Sequence, residues 1–291
     1  MSRAAPSPSG SIRSRQLSRP PALIALCTLV LGVLVTVAVF APFFEPHRPT
    51  AQSLLNRMQP PVFLGGQTEH LLGTDHLGRD ITSRLIRSSR TTLTIAALGT
   101  LIGASVGVAL GLLSGLGGRA ADNLIMFLVD VQLAVPFTLV ALTVIAVFGA
   151  SLTILVPVVG LAGWSQYARI TRGQVLAVRE LPYIEAVEAL GGSRWRVAVR
   201  HVLPNITSPL IVLVTYTFSQ IMLLESALSF LGLGVQPPSM SLGSMVGAGR
   251  DHLLGAWWIA IAPAALLILI TMCLALIGDW LRDILDPQLQ A

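Results

Sequence analysis

The sequence contains no lysine, so all 19 of its basic charges are arginine. A phosphate-binding loop of the form GxxxxGK[ST] needs that lysine on the β and γ phosphates. No such loop can be written, and any ATP used on this chain's behalf is hydrolysed by another chain. Cysteine is nearly as scarce. Cys27 and Cys273 each lie inside an apolar run, far apart in sequence, with no CxxC pair and no disulfide framework, so both read as packing residues. Neither an HExxH motif nor a metal-spaced Cys/His set occurs, and no metal or cofactor is expected. Charge is thin as well, at 11% of residues. The net charge of +5 does not point to nucleic acid, because the arginines sit in loops flanking apolar runs, where they set membrane topology.

What fills the chain is apolar sequence, 53% of it hydrophobic. Runs of about 20 apolar residues match a hydrocarbon core of roughly 30 Å at a rise of about 1.5 Å per residue. The expected fold class is all-α, a polytopic membrane protein with six transmembrane helices. Residues 1–20 form a Ser/Pro/Arg-rich tail expected to be disordered and cytoplasmic. Residues 21–90 hold the first transmembrane helix and a loop. Its apolar run, from about Ala22 to Phe43, exceeds a signal-peptide core of roughly 7–15 residues, so an uncleaved span is expected. The polar stretch 45–89, with Pro46, Pro49, Pro60 and Pro61, reads as a loop outside the membrane. Its arginines strain the positive-inside rule, but Glu45, Glu69, Asp75 and Asp80 dilute them.

Residues 91–291 are expected to form a five-helix core. Its spans lie near 91–116, 123–148, 152–168, 209–231 and 256–280, with an inner segment at 169–205 and both termini inside. In the first of these, Gly103, Gly107, Gly111 and Gly115 recur every four residues and place a smooth face toward a neighbouring helix. The same stretch reads GASVG, the G-x-S-x-G pattern of a nucleophile elbow around Ser105. An elbow needs a strand-turn-helix and a partnered base, whereas His47, His70, His76, His201 and His252 all fall in loops, so a hydrolase is set aside.

In "LLGTDHLGRDITSRL", Asp75 or Thr74 can accept backbone hydrogen bonds in a turn, Gly78 can supply a positive φ, and Asp80 can cap the following helix. A metal site of His70, Asp75 and His76 is the less favoured reading. Glu225 lies near the outer end of its span. It could line a solute route or be held by a structural partner such as an outer-loop arginine.

The most charged element is "YIEAVEALGGSRWRVAVRHVLPN", Tyr183 to Asn205. Pro182 suits a first helical turn; Ile184, Val187 and Leu190 share one side and Glu185 and Glu188 another. Gly191 and Gly192 break the helix and Ser193 can cap a second. There Trp195, Val199 and Val202 would make an apolar stripe and Arg196 and Arg200 a basic one, with Pro204 closing the helix. Physical chemistry alone leaves two readings open, a pair lying on anionic lipid or a pair docked in a protein groove.

The segment resembles the EAA motif, E-A-A-x3-G-x9-I-x-L-P, of ABC importer permeases. Glu185, Ala186, Gly191, Leu203 and Pro204 stand at matching positions, with Val187 for the third-position alanine and His201 for the isoleucine. In that family the element is the coupling helix that fits a cleft in the ATP-binding subunit. Its expected coupling residues here are Glu185, Ala186, Glu188, Gly191, Trp195, Arg196, Arg200, His201, Leu203 and Pro204. Three further stretches are similar to the C-type permease of peptide and nickel importers: Leu71–Leu85, Glu225–Met245 (with Leu242 where tryptophan is expected) and Gly278–Gln288. Asp75, Arg79, Asp80 and Glu225 are the candidate pathway and outer-loop residues.

The resemblance implies half of a translocation pathway for oligopeptides or dipeptides in a cell inner membrane, without catalytic residues. Implied partners are a homologous B-type permease, two nucleotide-binding ATPase domains, an extracytoplasmic peptide-binding protein and membrane lipid. The alternatives are the same importer class carrying nickel or another small solute, or a stand-alone secondary transporter. The scarcity of charge within spans and the absence of paired inverted halves speak against the last.

Overall fold

The computed structural model describes residues 20–189 and 193–285; the side chains at 185, 186, 188, 189, 194 and 195 lie outside it as well. The expected tail and Gly191 therefore fall outside the described residues. Helix α1 (Ala22–Val39) is followed by a short turn of helix, α2 (Ala41–Phe44), and a lid segment over residues 45–80 with two 3-10 turns, Leu54–Asn56 and Val62–Leu64. The lid ends at Asp80, whose carboxylate accepts from Ser83 N at 2.7 Å and so caps α3 (Ile81–Gly117). At 37 residues, α3 is about 55 Å long and exceeds the hydrocarbon core by roughly 25 Å, so its ends project beyond it.

A turn at Gly118, with φ +95°, starts α4 (Arg119–Ala134), and α5 (Phe137–Phe148) follows at an angle of 86°. The single span expected over 123–148 is thus broken. Pro136 has no N–H to give and drives Val135 to an extended φ of −104° and ψ of 130°. The span expected over 152–168 is also divided, into α6 (Leu152–Leu161) and α7 (Trp164–Arg179). After the loop helices α8 (Pro182–Ala189) and α9 (Arg194–Val197), a π-turn at Ala198–Val202 runs into α10 (Leu203–Phe230). A second lid segment carries α11 (Leu242–Gly249) and leads to α12 (Trp258–Leu285). Where six spans are expected, the described residues hold four helices long and apolar enough to cross a membrane, and five if the bent α4–α5 pair is one span.

The glycine face organises the bundle. An added Cβ on Gly103 would lie 2.6 Å from Gly160 O, on Gly107 2.3 Å from Trp164 O, on Gly111 2.6 Å from Thr171 Cβ, and on Gly115 2.5 Å from Val175 Cγ1. Partner numbers rise together with those of α3, so α3 and α6–α7 run parallel and nearly backbone to backbone. Helices α10 and α12 pack on the other flank of α3, and α1 lies outermost against α12 and α3. One apolar core, including Ile81, Ile95, Val159, Met222, Leu242 and Ile270, fills the middle and the lid end. The outward sides of α1 and α5 keep Leu23, Leu29, Val147 and Phe148 exposed, as lipid-facing helices do.

Candidate coupling loop and lid

At the end of the bundle away from the lid, a second apolar cluster joins the loop helices to the long ones. Ile184 of α8, Val197 of α9 and Val202 of the π-turn are buried with Val175 and Val178 of α7 and Ile206 of α10; Leu112, Leu116, Val187 and Leu203 pack against them. The apolar side of the first loop helix is therefore as the sequence spacing predicts at Ile184 and Val187. The second differs: Val199 is 43% exposed, while Val197, Ala198 and Val202 are buried. The wider π-turn shifts the register that a 3.6-residue period assumes. Pro204 likewise opens α10 in its first turn instead of closing α9, because a proline there gives up only an N–H that α-helical bonding leaves free.

Polar contacts fix this end further. Ser193 Oγ accepts from Arg196 N at 3.3 Å. Asn205 Nδ2 donates to Tyr183 Oη at 3.0 Å and to His201 O at 2.6 Å, and the Tyr183 and His201 rings lie 6.1 Å apart. Arg179 Nη1 donates to Gly115 O at 2.8 Å, which ties the end of α7 to the end of α3. Arg172 grips Asp122 with two nitrogens, and Ser114 Oγ donates to the same carboxylate. Arg196 and Arg200 are exposed, His201 is half-buried, and Leu203 packs on the cluster. Of the other expected coupling residues, the side chains of Glu185, Ala186, Glu188 and Trp195, and the whole of Gly191, lie outside the described residues.

The lid holds the remaining candidates. Asp75 is 2% exposed. Its Oδ1 accepts from Leu77 N at 2.8 Å and Arg79 N at 3.0 Å, and its Oδ2 from Arg79 Nε at 2.7 Å, with Arg84 Nε at 3.5 Å. Burial alone would raise this carboxyl; the Arg79 N–H, the guanidiniums of Arg84 and Arg79, and the Leu77 N–H outweigh it and hold it below its ordinary value. Gly78 has φ +71°, and Cα substitution there would collide with Ser53 O. His70, Asp75 and His76 are not brought together. His70 Nδ1 lies 3.0 Å from Asp80 Oδ1, and the His76 ring stacks on His252 at 5.3 Å. Sequence spacing also gives no sign of two long-range ties. Arg87 donates to both oxygens of Glu45 at 2.6 and 2.8 Å, and Trp258 Nε1 donates to Thr74 O at 3.3 Å.

Among the described residues Glu225 meets serines, with no arginine bonded to it. It is fully buried, accepts from Ser229 Oγ at 2.6 Å and lies 3.4 Å from Ser226 Oγ. Ser229 Oγ in turn accepts from Val235 N at 3.1 Å, so the acid helps pin the second lid segment to α10.

A bundle with a parallel glycine seam, a glycine-bearing loop of short helices packed on its far end and a lid on the other has known counterparts. The profile of the family described as "Binding-protein-dependent transport system inner membrane component" matches residues 107–291, and that described as "N-terminal TM domain of oligopeptide transport permease C" matches residues 7–61. The chain belongs to the permease family of ABC importers, in its peptide C-type branch. It is 40% identical over 263 residues to the "Di/tripeptide transport system permease protein DppC" of Pseudomonas aeruginosa (strain UCBPP-PA14), covering 90% of this chain and 87% of the relative. It is 33% identical over 266 residues to the "Probable D,D-dipeptide transport system permease protein DdpC" of Escherichia coli (strain K12), covering 91% and 88%. Among solved structures, an inward-facing form of the MetNI methionine ABC transporter is similar in fold. Its TM-score is 0.57 at 18% identity, covering 71% of this chain and 98% of that one. The permease is thus a multi-pass inner-membrane protein, and its family role is that of a membrane subunit.

Proposed function

We propose that this permease carries di- and tripeptides, or somewhat longer peptides, inward as one half of a transmembrane pathway, and that residues 182–205 receive the driving force. The supporting observation is the apolar cluster that binds α8, α9 and the π-turn to the ends of α3, α7 and α10. Close-packed interiors transmit displacement with little give, so a push on the loop helices moves the long helices with it. A cavity of about 970 Å³ beside this cluster is bordered by Gln174 of α7, Asn205 and Tyr216 of α10 and Asp279 of α12, and would change shape with that motion. With no lysine for a phosphate loop, ATP is hydrolysed on two nucleotide-binding domains in partner chains. A homologous B-type permease supplies the other half of the pathway, and an extracytoplasmic binding protein delivers peptide to the lid. The lid end is then extracytoplasmic, and the loop helices and both termini are cytoplasmic. The peptide cargo is supported by the names of the relatives, which carry di-, tri- and D,D-dipeptides.

Uptake of labelled dipeptide into cells, beside copurification of the ATPase subunits, tests this. Gly191→Asp puts a side chain and a charge where the motif carries a glycine, and it should abolish uptake while the protein still accumulates in the membrane. Glu185→Ala should weaken subunit copurification more mildly. Normal uptake in Gly191→Asp would remove the coupling role, and uptake of nickel in place of dipeptide would remove the peptide reading.

A further inference from the structure

We propose that His47, His70 and Asp80 form a site for one divalent transition-metal ion of the zinc class, built into the lid. The three come from separate pieces of chain: His47 follows α2, His70 lies beyond the second 3-10 turn, and Asp80 caps α3. One ligand atom from each lies within 4.8 Å of the others. Both imidazoles turn the same nitrogen toward one carboxylate. His70 Nδ1 is 3.0 Å from Asp80 Oδ1, and His47 Nδ1 is 3.9 Å from Asp80 Oδ2, with the rings 4.9 Å apart.

The shorter separation is also that of a direct His–Asp hydrogen bond, but the longer one suits a shared ion better than a direct contact. Zinc holds nitrogen and oxygen ligands at roughly 2.0–2.2 Å around a tetrahedron, so two ligand atoms stand about 3.4 Å apart, within roughly 3–4 Å when the tetrahedron is distorted. Both measured distances fall in that interval. The longer one is past hydrogen-bonding range. His47 Nδ1 is therefore buried without a hydrogen-bond partner, a state that costs free energy unless something occupies the gap.

The surroundings fit as well. Ser83 donates to Asp80 Oδ2 through N and Oγ, each at 2.7 Å, which fixes the carboxylate and leaves Oδ1 as its ligating oxygen. Behind His47, Nε2 lies 3.9 Å from Glu69 Oε1, past hydrogen-bonding range, so this exposed carboxylate adds negative charge near the imidazole without a direct bond to it. His47 also lines an open cavity of about 810 Å³, bordered by Glu45 as well as Arg48, Arg87 and Arg90, which leaves room for water at the remaining positions. Arg87 there is already engaged by both oxygens of Glu45. Two imidazoles and one carboxylate select zinc, cobalt or nickel over magnesium or calcium. Bound, the ion would tie the segment after α2 to the head of α3.

The full chain, purified in detergent and stripped with a chelator, is titrated with Co²⁺ and followed by visible absorption, with metal per chain counted by mass spectrometry. One Co²⁺ per chain is expected, with ligand-field bands stronger than those of the aqueous ion and displaced by one equivalent of Zn²⁺. His47→Ala and His70→Ala should each weaken binding more than tenfold, whereas His252→Ala, outside the cluster, should not. Melting of the wild type gives a readout independent of the variants: Zn²⁺ should raise its Tm and Mg²⁺ should not. A spectrum equal to that of aqueous Co²⁺, unchanged affinity in His47→Ala, or a wild-type Tm indifferent to Zn²⁺ would each overturn the proposal and leave a metal-free His–Asp contact.

Discussion

Asn205 Nδ2 donates to Tyr183 Oη at 3.0 Å, joining the first loop helix to the beginning of α10 across the loop between them. The same amide donates to His201 O at 2.6 Å, so one side chain holds both limbs of the proposed coupling element. The two limbs are thus tied by a polar contact as well as by the apolar cluster.

Substitutions at this contact should separate coupling from folding. Tyr183→Phe removes one acceptor and keeps the ring beside His201, while Asn205→Ala removes both bonds, each worth about 0.5–1.5 kcal/mol. Neither loss is large enough to unfold the bundle. Dipeptide uptake per membrane-resident protein should fall several-fold in Asn205→Ala and less in Tyr183→Phe. Equal uptake in Asn205→Ala and wild type would show that the contact carries no force.

The lid should lose stability on acidification in two separate windows. Burial chiefly, with the charges of Arg79, His252 and Arg84 acting against Asp75, lowers the affinity of His76 for a proton. The unfolded ring, with an ordinary value of 6.5, then takes a proton that the folded ring does not. Its contribution is therefore complete above that pH and declines below it. Asp75 behaves in the same direction lower down. Its folded carboxyl stays ionised where the unfolded one, with an ordinary value of 3.8, protonates. Its stabilisation holds above that value and is lost as pH falls through the depressed folded value. Melting in detergent should show a shallower decline below about pH 6.5 for His76→Gln than for wild type. At neutral pH, Asp75→Asn should cost about 3–5 kcal/mol, since it leaves Arg84 buried and unpaired. That gap should narrow in strong acid, and parallel pH profiles would refute the assignment.

Local signals were legible in the sequence where a single residue or a single period decides the outcome. The four-residue glycine spacing, the Asp80 and Ser193 caps, the positive φ of Gly78 and the buried side at Ile184 and Val187 all follow from such signals. The identity of a partner across space does not. The glycine face names no neighbour, and its parallel seat on α6–α7 depends on where the chain returns. Average apolarity hid the 86° break at Pro136, because hydropathy does not register a missing N–H. The lid read as an irregular loop, since the contacts that fold it, Glu45 with Arg87 and Thr74 with Trp258, are far apart in sequence. For Glu225 the sequence leaves a pathway role and a structural partner both open; its serine partners stand one and four residues on along its own helix, and only the Val235 N–H on Ser229 depends on the return of the second lid segment.

The proposed orientation can be read by chemical labelling. Leu55 is 98% exposed in the lid, and Ser193 is exposed at the opposite end. The native thiols at Cys27 and Cys273 are buried, so they should stay silent toward a membrane-impermeant maleimide. Leu55→Cys should react in intact spheroplasts, and Ser193→Cys only after permeabilisation. The reverse pattern would invert the topology and remove the cytoplasmic docking of the loop helices.

The glycine seam gives the sharpest test, because it separates a packing role from helix propensity. At Gly107 an added Cβ would stand 2.3 Å from Trp164 O and 2.5 Å from Tyr167 Cβ, so the obstacle includes backbone that cannot rotate away. At Gly173, also helical, a Cβ meets nothing within 4 Å. Alanine is the better helix former by about 1 kcal/mol, so propensity alone predicts that both Gly→Ala changes stabilise. Packing predicts opposite signs. Gly107→Ala must push α3 and α7 apart, at an overpacking cost of about 1–3 kcal/mol, and Gly107→Leu more, whereas Gly173→Ala should be neutral or better. Since α7 leads directly into the loop helices, a loosened seam should also weaken transport in whatever Gly107→Ala protein survives. Membrane abundance, detergent melting and uptake are measured together for the three variants. Wild-type melting in Gly107→Ala would mean that α3 and α7 do not lie backbone to backbone, and the seam could then not carry motion from the loop helices to the bundle.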